Sequence, residues 1–162
     1  VPKFDYIQSR IFSFFNRDTG THNFQSDKAI ESITSGGYFG KGIGEGTLKN
    51  RVPEAHTDYI ISVISEEFGV VAIMLILLLF LMFIYMVFKK INYEKDDKTK
   101  LVLIGCVSLI LMQATIHVGV NIRLFPTTGM TLPFLSYGGS SIVSISILSG
   151  IILNLTKRKI EN

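Results

Sequence analysis

The stretch Phe68–Phe88, FGVVAIMLILLLFLMFIYMVF, contains 21 residues and no charged side chain. About 20 such residues are enough for an α-helix to cross a bilayer. Two further apolar stretches cover about residues 101–120 and 136–155, and 48% of the chain is hydrophobic. Because the apolar residues are concentrated in these blocks, the sequence predicts an all-α, polytopic membrane helix bundle with three transmembrane helices.

The placement of basic residues predicts the orientation in the membrane. The connection at residues 89–100 carries five lysines, and three basic residues in a row occupy positions 157–159. Short loops rich in Lys and Arg face the cytoplasm. The predicted regions are therefore an extracytoplasmic loop region with short interfacial helices (1–59), three spans (about 60–88, 101–120 and 136–155, within 60–155) and a cytoplasmic tail (156–162).

Two short helices are expected in the extracytoplasmic region. Residues 1–20 place apolar side chains at helical spacing among cations, which is typical of a helix on a membrane surface, although a core-facing helix has the same pattern. Residues 21–35 predict a second helix, with Ser26 or Asp27 as N-cap and Gly36-Gly37 as its end. Since the chain begins with Val1 and shows no signal sequence, we interpret it as the later part of a longer protein.

Composition argues against several functional classes. The net charge is +3, and no basic stripe with interleaved aromatics is present, so nucleic acid is not an expected partner. The single Cys106 excludes an internal disulfide framework and a cysteine metal cluster. His56 has no second metal-type ligand at suitable spacing, so no metal ligand is assigned.

Glycines recur at six positions between residues 36 and 46. No G-K-[ST] follows them and no strand precedes them, which argues against a nucleotide-binding loop. Such glycines allow positive φ and close approach to a ligand or to another backbone. A solvated flexible loop is the alternative. Lys41, Lys49 and Arg51 place cations on this loop.

Polar residues continue from this loop into the first span. On a helix, Asp58, Ser62, Ser65 and Gly69 share one face, with Glu66 at its flank. Ionisable groups inside a bilayer usually face a bundle interior or a water-filled cavity, so this stripe predicts a polar cavity open to the outside, with Asp58 at its mouth. A compatible alternative is that Thr57 or Asp58 is simply an N-cap.

The other two spans have polar outer ends of their own. Gln113, His117 and Asn121 lie four residues apart, so they either line the same cavity or form interhelical hydrogen bonds. The segment Ser136–Ser141 begins the third span. Its helix end is suited to an anion, whereas small residues in this span are also suited to close helix packing. A carboxylate, cations and a helix end at one membrane surface fit an enzyme acting on a membrane-anchored anionic substrate, and they also fit a transporter.

Four motifs occur in order along the chain: FGKGIGEGTLK, VPEAHTDYI, EEFG and FPTTGMTLPFLSYGGSS. Together they resemble the last part of the SEDS (shape, elongation, division and sporulation) family, and most nearly its cell-division branch. That family has ten spanning helices, and the resemblance covers the large outer loop after the seventh helix plus helices eight to ten. Thr128 stands where the division branch often has Lys, and Tyr59 where Phe is common.

The resemblance implies a function. The family polymerises lipid II into the glycan strands of peptidoglycan in the bacterial inner membrane, together with a class B penicillin-binding protein and other divisome proteins at the septum. The proposed catalytic aspartate of the family falls on Asp58. The candidate substrate-binding residues are Arg10, Lys41, Lys49, Arg51, Glu54, His56, Glu66, Ser136, Tyr137, Gly138, Gly139 and Ser140.

Several points of the resemblance remain expectations. Some members need a divalent cation, Mg or Mn, which Asp58 with Glu54 would help to hold. The first seven helices of the family are not in this sequence, so this part alone is expected to be inactive. A lipid II flippase and a non-catalytic scaffold for the transpeptidase are the alternative functions.

Overall fold

The computed structural model describes residues 21–52 and 55–157, and all regular structure within those ranges is helical. The predicted all-α class is confirmed. The helices are α1 (Thr21–Gly36), α2 (Leu48–Arg51), α3 (Ile60–Tyr93), α4 (Asp97–Asn121) and α5 (Gly139–Thr156). Helices α3, α4 and α5 are each long and apolar enough to cross a membrane.

The helix ends differ from the predicted spans. The first span was expected to end at residue 88, where the apolar run stops, but α3 continues to Tyr93. Helix α4 begins only a few residues later, because the Asp96 carboxylate accepts hydrogen bonds from the backbone N–H groups of Lys98 and Thr99. Charged residues outside an apolar stretch can thus continue its helix. The predicted surface helix at 1–20 lies outside the described residues.

Helix α3 is interrupted at Gly69. Its 34 residues would form a straight helix about 51 Å long. At Gly69, however, φ is 80° and ψ is 178°, a conformation that is essentially restricted to glycine. The interruption leaves the carbonyl groups before Gly69 and the N–H groups after it without their partners within the helix.

The glycine loop (residues 37–46) fills this interruption with its own backbone. The N–H groups of Lys41 and Gly42 donate to the carbonyls of Glu66 and Glu67, at 2.9 and 3.1 Å. On the other side of the break, the Val70 N–H donates to the Gly37 carbonyl at 3.0 Å. The loop therefore replaces the missing helical hydrogen bonds, and the close-approach interpretation of the glycines is confirmed over the flexible one.

Gly40 shows why this loop needs glycine. Its φ is +79°, and a Cβ placed on it would lie 2.2 Å from the Glu67 carbonyl oxygen. Real Cβ atoms essentially never come this close to backbone, so a side chain here would separate the loop from α3. The loop thus fixes α1, which precedes it, against the N-terminal part of α3.

Three buried clusters hold the helices together: a loop core, a span core and a small cluster of Ile61, Ala114 and Leu132. The loop core joins α1, α2, the start of α3 and the end of α4, whereas the span core joins the three long helices. The loop core consists of Ala29, Leu48, Val52, Ala55, Tyr59, Val63 and Val120. The span core consists of Val87, Ile91, Leu103, Cys106, Val107, Ile110, Ile145 and Ile152. The loop core lies next to Asp58, because Ala55 and Tyr59 belong to it.

Candidate functional site

Asp58 lies in a turn formed by residues 55–59 (the Asp58 turn), directly before α3. The predicted N-cap role of Thr57 or Asp58 is wrong: the N-cap position is Tyr59, and no side chain of that residue caps the helix. The physical reason is that a side chain from another helix supplies the cap. Asp58 itself is half-buried.

That cap comes from Asn121, the last residue of α4. Its Oδ1 accepts from the Ser62 N–H at 3.2 Å and from the Ser62 hydroxyl at 2.7 Å. Its Nδ2 donates to the Asp58 carbonyl at 3.0 Å. One buried amide thus joins the Asp58 turn to the first turn of α3.

Two more carbonyls of the Asp58 turn accept hydrogen bonds from residues distant in the sequence. The Ser136 hydroxyl donates to the Thr57 carbonyl at 2.8 Å, and the Tyr137 N–H donates to the His56 carbonyl at 3.2 Å. Ser136 also accepts from the Leu132 N–H. Ser136 and Tyr137 therefore support the Asp58 turn from the connection between α4 and α5.

The same connection approaches the Asp58 carboxylate. Gly129 has φ +70°, and a Cβ placed on it would lie 3.8 Å from Asp58 Oδ2. A side chain at position 129 would therefore come into van der Waals contact with the Asp58 carboxylate.

The predicted polar stripe is buried rather than open. Ser62, Ser65 and Glu66 are almost fully covered, because α1 and the glycine loop pack over this face. Ser65 Oγ and His117 Nε2 have no hydrogen-bond partner among the described residues. The expected cavity opening outward along the stripe is therefore not formed by this face.

Glu66 fixes the glycine loop through its side chain. The carboxylate is 1% exposed and accepts from Lys41 Nζ at 2.9 Å, Thr47 Oγ1 at 3.1 Å and the Leu48 N–H at 3.0 Å. Such a carboxylate has its acceptor sites largely filled by the protein. Lys41 and Glu66 thus contact each other, and their predicted contact with substrate stays a prediction.

A polar pocket of about 160 Å³ lies beside this ion pair. Its charged lining consists of Lys28, Glu31, Lys41, Arg51 and Glu66. The Lys28 ammonium donates a hydrogen bond to Glu31 and lowers the pKa of that carboxyl. Arg51 is exposed, and within the described ranges its side chain makes no hydrogen bond or ion pair. The pocket carries an excess of one positive charge, which suits an anion.

The remaining predicted residues are scattered. His56 and Tyr137 are exposed, and Gly139 and Ser140 lie exposed at the start of α5, whose N-cap is Gly138. Arg10 and Glu54, as well as the side chain of Lys49, lie outside what the structure describes. The structure thus brings Ser136 and Tyr137 to the Asp58 turn but places Lys41, Arg51 and Glu66 around the polar pocket.

The polar C-terminal end of α4 forms hydrogen bonds between segments. Gln113 Nε2 donates to the Thr131 carbonyl at 2.9 Å and to Ser141 Oγ in α5 at 3.0 Å. His117 is buried beside Asn121. The interhelical hydrogen-bonding interpretation is confirmed for Gln113 and for Asn121, whereas the His117 side chain bonds only to Asn121 of its own helix among the described residues. Sequence reasoning had grouped Asn121 with them by spacing but gave no sign that it contacts the Asp58 turn, and it did not single out Gly129.

The expected divalent cation stays an expectation, because Glu54, one of its two candidate ligands, lies outside the described residues. Hard cations such as Mg²⁺ need several oxygen ligands, and the described part of the chain alone brings no group of three His, Cys, Asp or Glu side chains together.

Comparison with known proteins identifies the family. A family model described as cell cycle protein, for FtsW, RodA and SpoVE, matches residues 2–161. The chain is 36% identical to a probable peptidoglycan glycosyltransferase FtsW of Enterococcus hirae over 161 residues, which are 98% of this chain and 41% of that protein. Proteins with the same name are 38% identical in Caulobacter vibrioides (96% of this chain, 40% of that protein) and 37% identical in Geobacter metallireducens (98% and 43%).

This chain spans about two fifths of the length of these relatives. The match extends over the glycine loop, the Asp58 turn and all three long helices. The resemblance drawn from the four sequence motifs is confirmed. The chain belongs to the FtsW/RodA/SpoVE family of cell cycle proteins, the SEDS family.

Proposed function

We propose that this chain carries the catalytic aspartate of a membrane-embedded glycosyltransferase that polymerises lipid II into peptidoglycan strands during septal cell-wall synthesis. The relatives named above are probable peptidoglycan glycosyltransferases. The observation that carries the proposal is the placement of Asp58. It is a half-buried carboxylate in a turn whose three successive carbonyls are each fixed by a distant donor.

Asp58 is the proposed general base. A sugar hydroxyl is a poor nucleophile until a positioned carboxylate takes its proton. In the proposed reaction, the 4-hydroxyl of one lipid-linked disaccharide attacks the anomeric carbon of another and transfers its proton to Asp58. A new glycosidic C–O bond forms, the C–O bond to the pyrophosphate breaks, and undecaprenyl pyrophosphate leaves with the electron pair.

The leaving pyrophosphate gathers negative charge, which fixed cations would stabilise. Arg51 is the described candidate whose guanidinium is exposed and makes no ion pair within the described ranges. Lys41 is already bonded to Glu66. Arg10, Lys49, Glu54, His56, Gly138, Gly139 and Ser140 stay proposed contacts. The proposed protein partners are a class B penicillin-binding protein and other divisome proteins in the inner membrane.

Polymerisation is distinguished from lipid II transport by one substitution. Asp58→Asn in the full-length protein keeps the side chain's shape but removes the base. We expect it to abolish glycan-strand formation from purified lipid II while lipid II binding persists. Asp97→Asn is the matched control, since Asp97 is 93% exposed at the opposite end of α4.

A transporter would behave differently in the same variants. Full polymerisation by Asp58→Asn, with loss of lipid II movement across vesicles, would favour the flippase alternative. Normal polymerisation and normal movement, with unchanged binding of the transpeptidase, would favour the scaffold alternative.

A further inference from the structure

Asn121 joins the Asp58 turn to the first turn of α3 by hydrogen bonds from its side chain. The Asp58 turn is followed by a helix whose N-cap residue, Tyr59, makes no side-chain cap. The third N–H of that helix, from Ser62, is instead satisfied by Asn121 Oδ1. The amide of the same residue donates to the Asp58 carbonyl at 3.0 Å. Asp58 is thus fixed relative to α3 through a side chain of α4.

The hydrogen bonds define one orientation of this amide. Its oxygen faces two donors of Ser62, the N–H and the hydroxyl. Its nitrogen faces three acceptors, the carbonyls of Asp58 and His117 and the ring nitrogen Nδ1 of His117. A reversed amide would place oxygen against these two carbonyls and NH₂ against the Ser62 N–H. A group with both an acceptor and donors is therefore required here.

Burial makes the arrangement rigid. Asn121 and His117 have no exposed surface, and Ser62 has none either. A buried polar group that loses its hydrogen bond is costly, and the amide has no water here to replace its protein partners. The position of the Asp58 backbone is therefore tied to the C-terminal end of α4.

We propose that Asn121 is a positioning residue for Asp58: it sets the direction of the Asp58 turn, and hence of the carboxylate, through the Nδ2 bond to the Asp58 carbonyl. This rests on the proposed function of Asp58 as general base. Asn121 touches no reacting atom. Its loss should therefore reduce turnover more than substrate binding.

The test compares Asn121→Leu with Ser62→Ala in the full-length protein. Leucine has the same branching at Cγ, although it is larger, and it removes both halves of the amide. Alanine at position 62 removes one hydrogen bond to the same amide but leaves the bond to the Asp58 carbonyl. Initial rates with purified lipid II give kcat and KM per mole of monodisperse protein, and the thermal midpoint is measured in parallel. Asn121→Ser is the second variant, should the leucine variant not fold.

The expected result is a fall in kcat of about 10- to 100-fold for the Asn121 variants, because small misplacements of a reacting group have effects of that size. KM should stay within about twofold, as expected when an interaction serves only the transition state. Ser62→Ala should keep kcat within about threefold even where its thermal midpoint falls.

Two results would overturn the proposal. One is a kcat within about threefold of wild type for the Asn121 variants. The other is an equal loss of kcat in Ser62→Ala at the same loss of thermal midpoint. Asp58→Asn in the same assay shows which hypothesis fails. If Asp58→Asn is inactive and the Asn121 variants are active, only the positioning role of Asn121 is contradicted. If Asp58→Asn is active, the proposed function of Asp58 is contradicted as well.

Discussion

Replacing Gly69 by alanine should separate the glycine loop from α3. At Gly69, φ is 80° and ψ is 178°, and a Cβ there would lie 2.2 Å from the Tyr38 carbonyl oxygen. Holding a residue with a side chain in such a conformation costs about 1–3 kcal/mol. Relieving the clash by moving backbone costs about another 1–3 kcal/mol. We therefore expect a loss of about 2–6 kcal/mol in the free energy of unfolding.

Two measurements check this expectation in the full-length protein in detergent. The thermal midpoint should fall, and the amide of Val70, bonded to the Gly37 carbonyl at 3.0 Å, should exchange hydrogen faster. Gly105→Ala is the matched control, because a Cβ at Gly105 in α4 meets nothing within 4 Å. If Gly69→Ala is as stable as this control and its Val70 amide stays protected, the loop does not depend on the interruption of α3.

Two further substitutions test the contacts around the loop. Glu66→Gln should cost about 1–3 kcal/mol, because an amide leaves at least one of the donors Lys41, Thr47 and Leu48 without a good acceptor in a buried place; a thermal midpoint no lower than that of the exposed control Glu45→Gln would contradict it. Asp27→Asn, which removes the Arg123 ion pair between α1 and the end of α4, should cost less than about 1 kcal/mol and show no effect in high salt. A large loss that persists in molar salt would show that this pair is not a simple surface interaction.

The spans were predictable because they follow from uninterrupted apolar runs. The residues 68–88 identify α3 without any knowledge of tertiary contacts, and the glycine spacing correctly indicated close backbone approach. The interruption at Gly69 was not predicted, since a single glycine inside an apolar helix is common enough to be tolerated. The structural role of Gly69 depends on contacts with a loop about 30 residues earlier in the chain. Helical periodicity gives no information about such contacts.

The candidate site was only partly predictable for the same reason. Asp58 was identified by its position and by the PEAHTD motif, and Gln113, His117 and Asn121 by their four-residue spacing. The spacing showed that these three residues share one face of α4, but it did not show which residues that face contacts. The bond from Asn121 to the Asp58 carbonyl joins residues 63 positions apart, so it follows from the packing of α3 against α4 and not from a local pattern.

The rate of glycan-strand formation from lipid II by full-length Asp58→Asn tests the central claim most directly. A positioned general base contributes about 10²–10⁴-fold to the rate, so the variant should lose at least about 100-fold. Asp97→Asn should keep the wild-type rate, since that carboxylate lies at the far end of α4. An Asp58→Asn protein that polymerises lipid II at the rate of this control would contradict the assignment of Asp58 as the base.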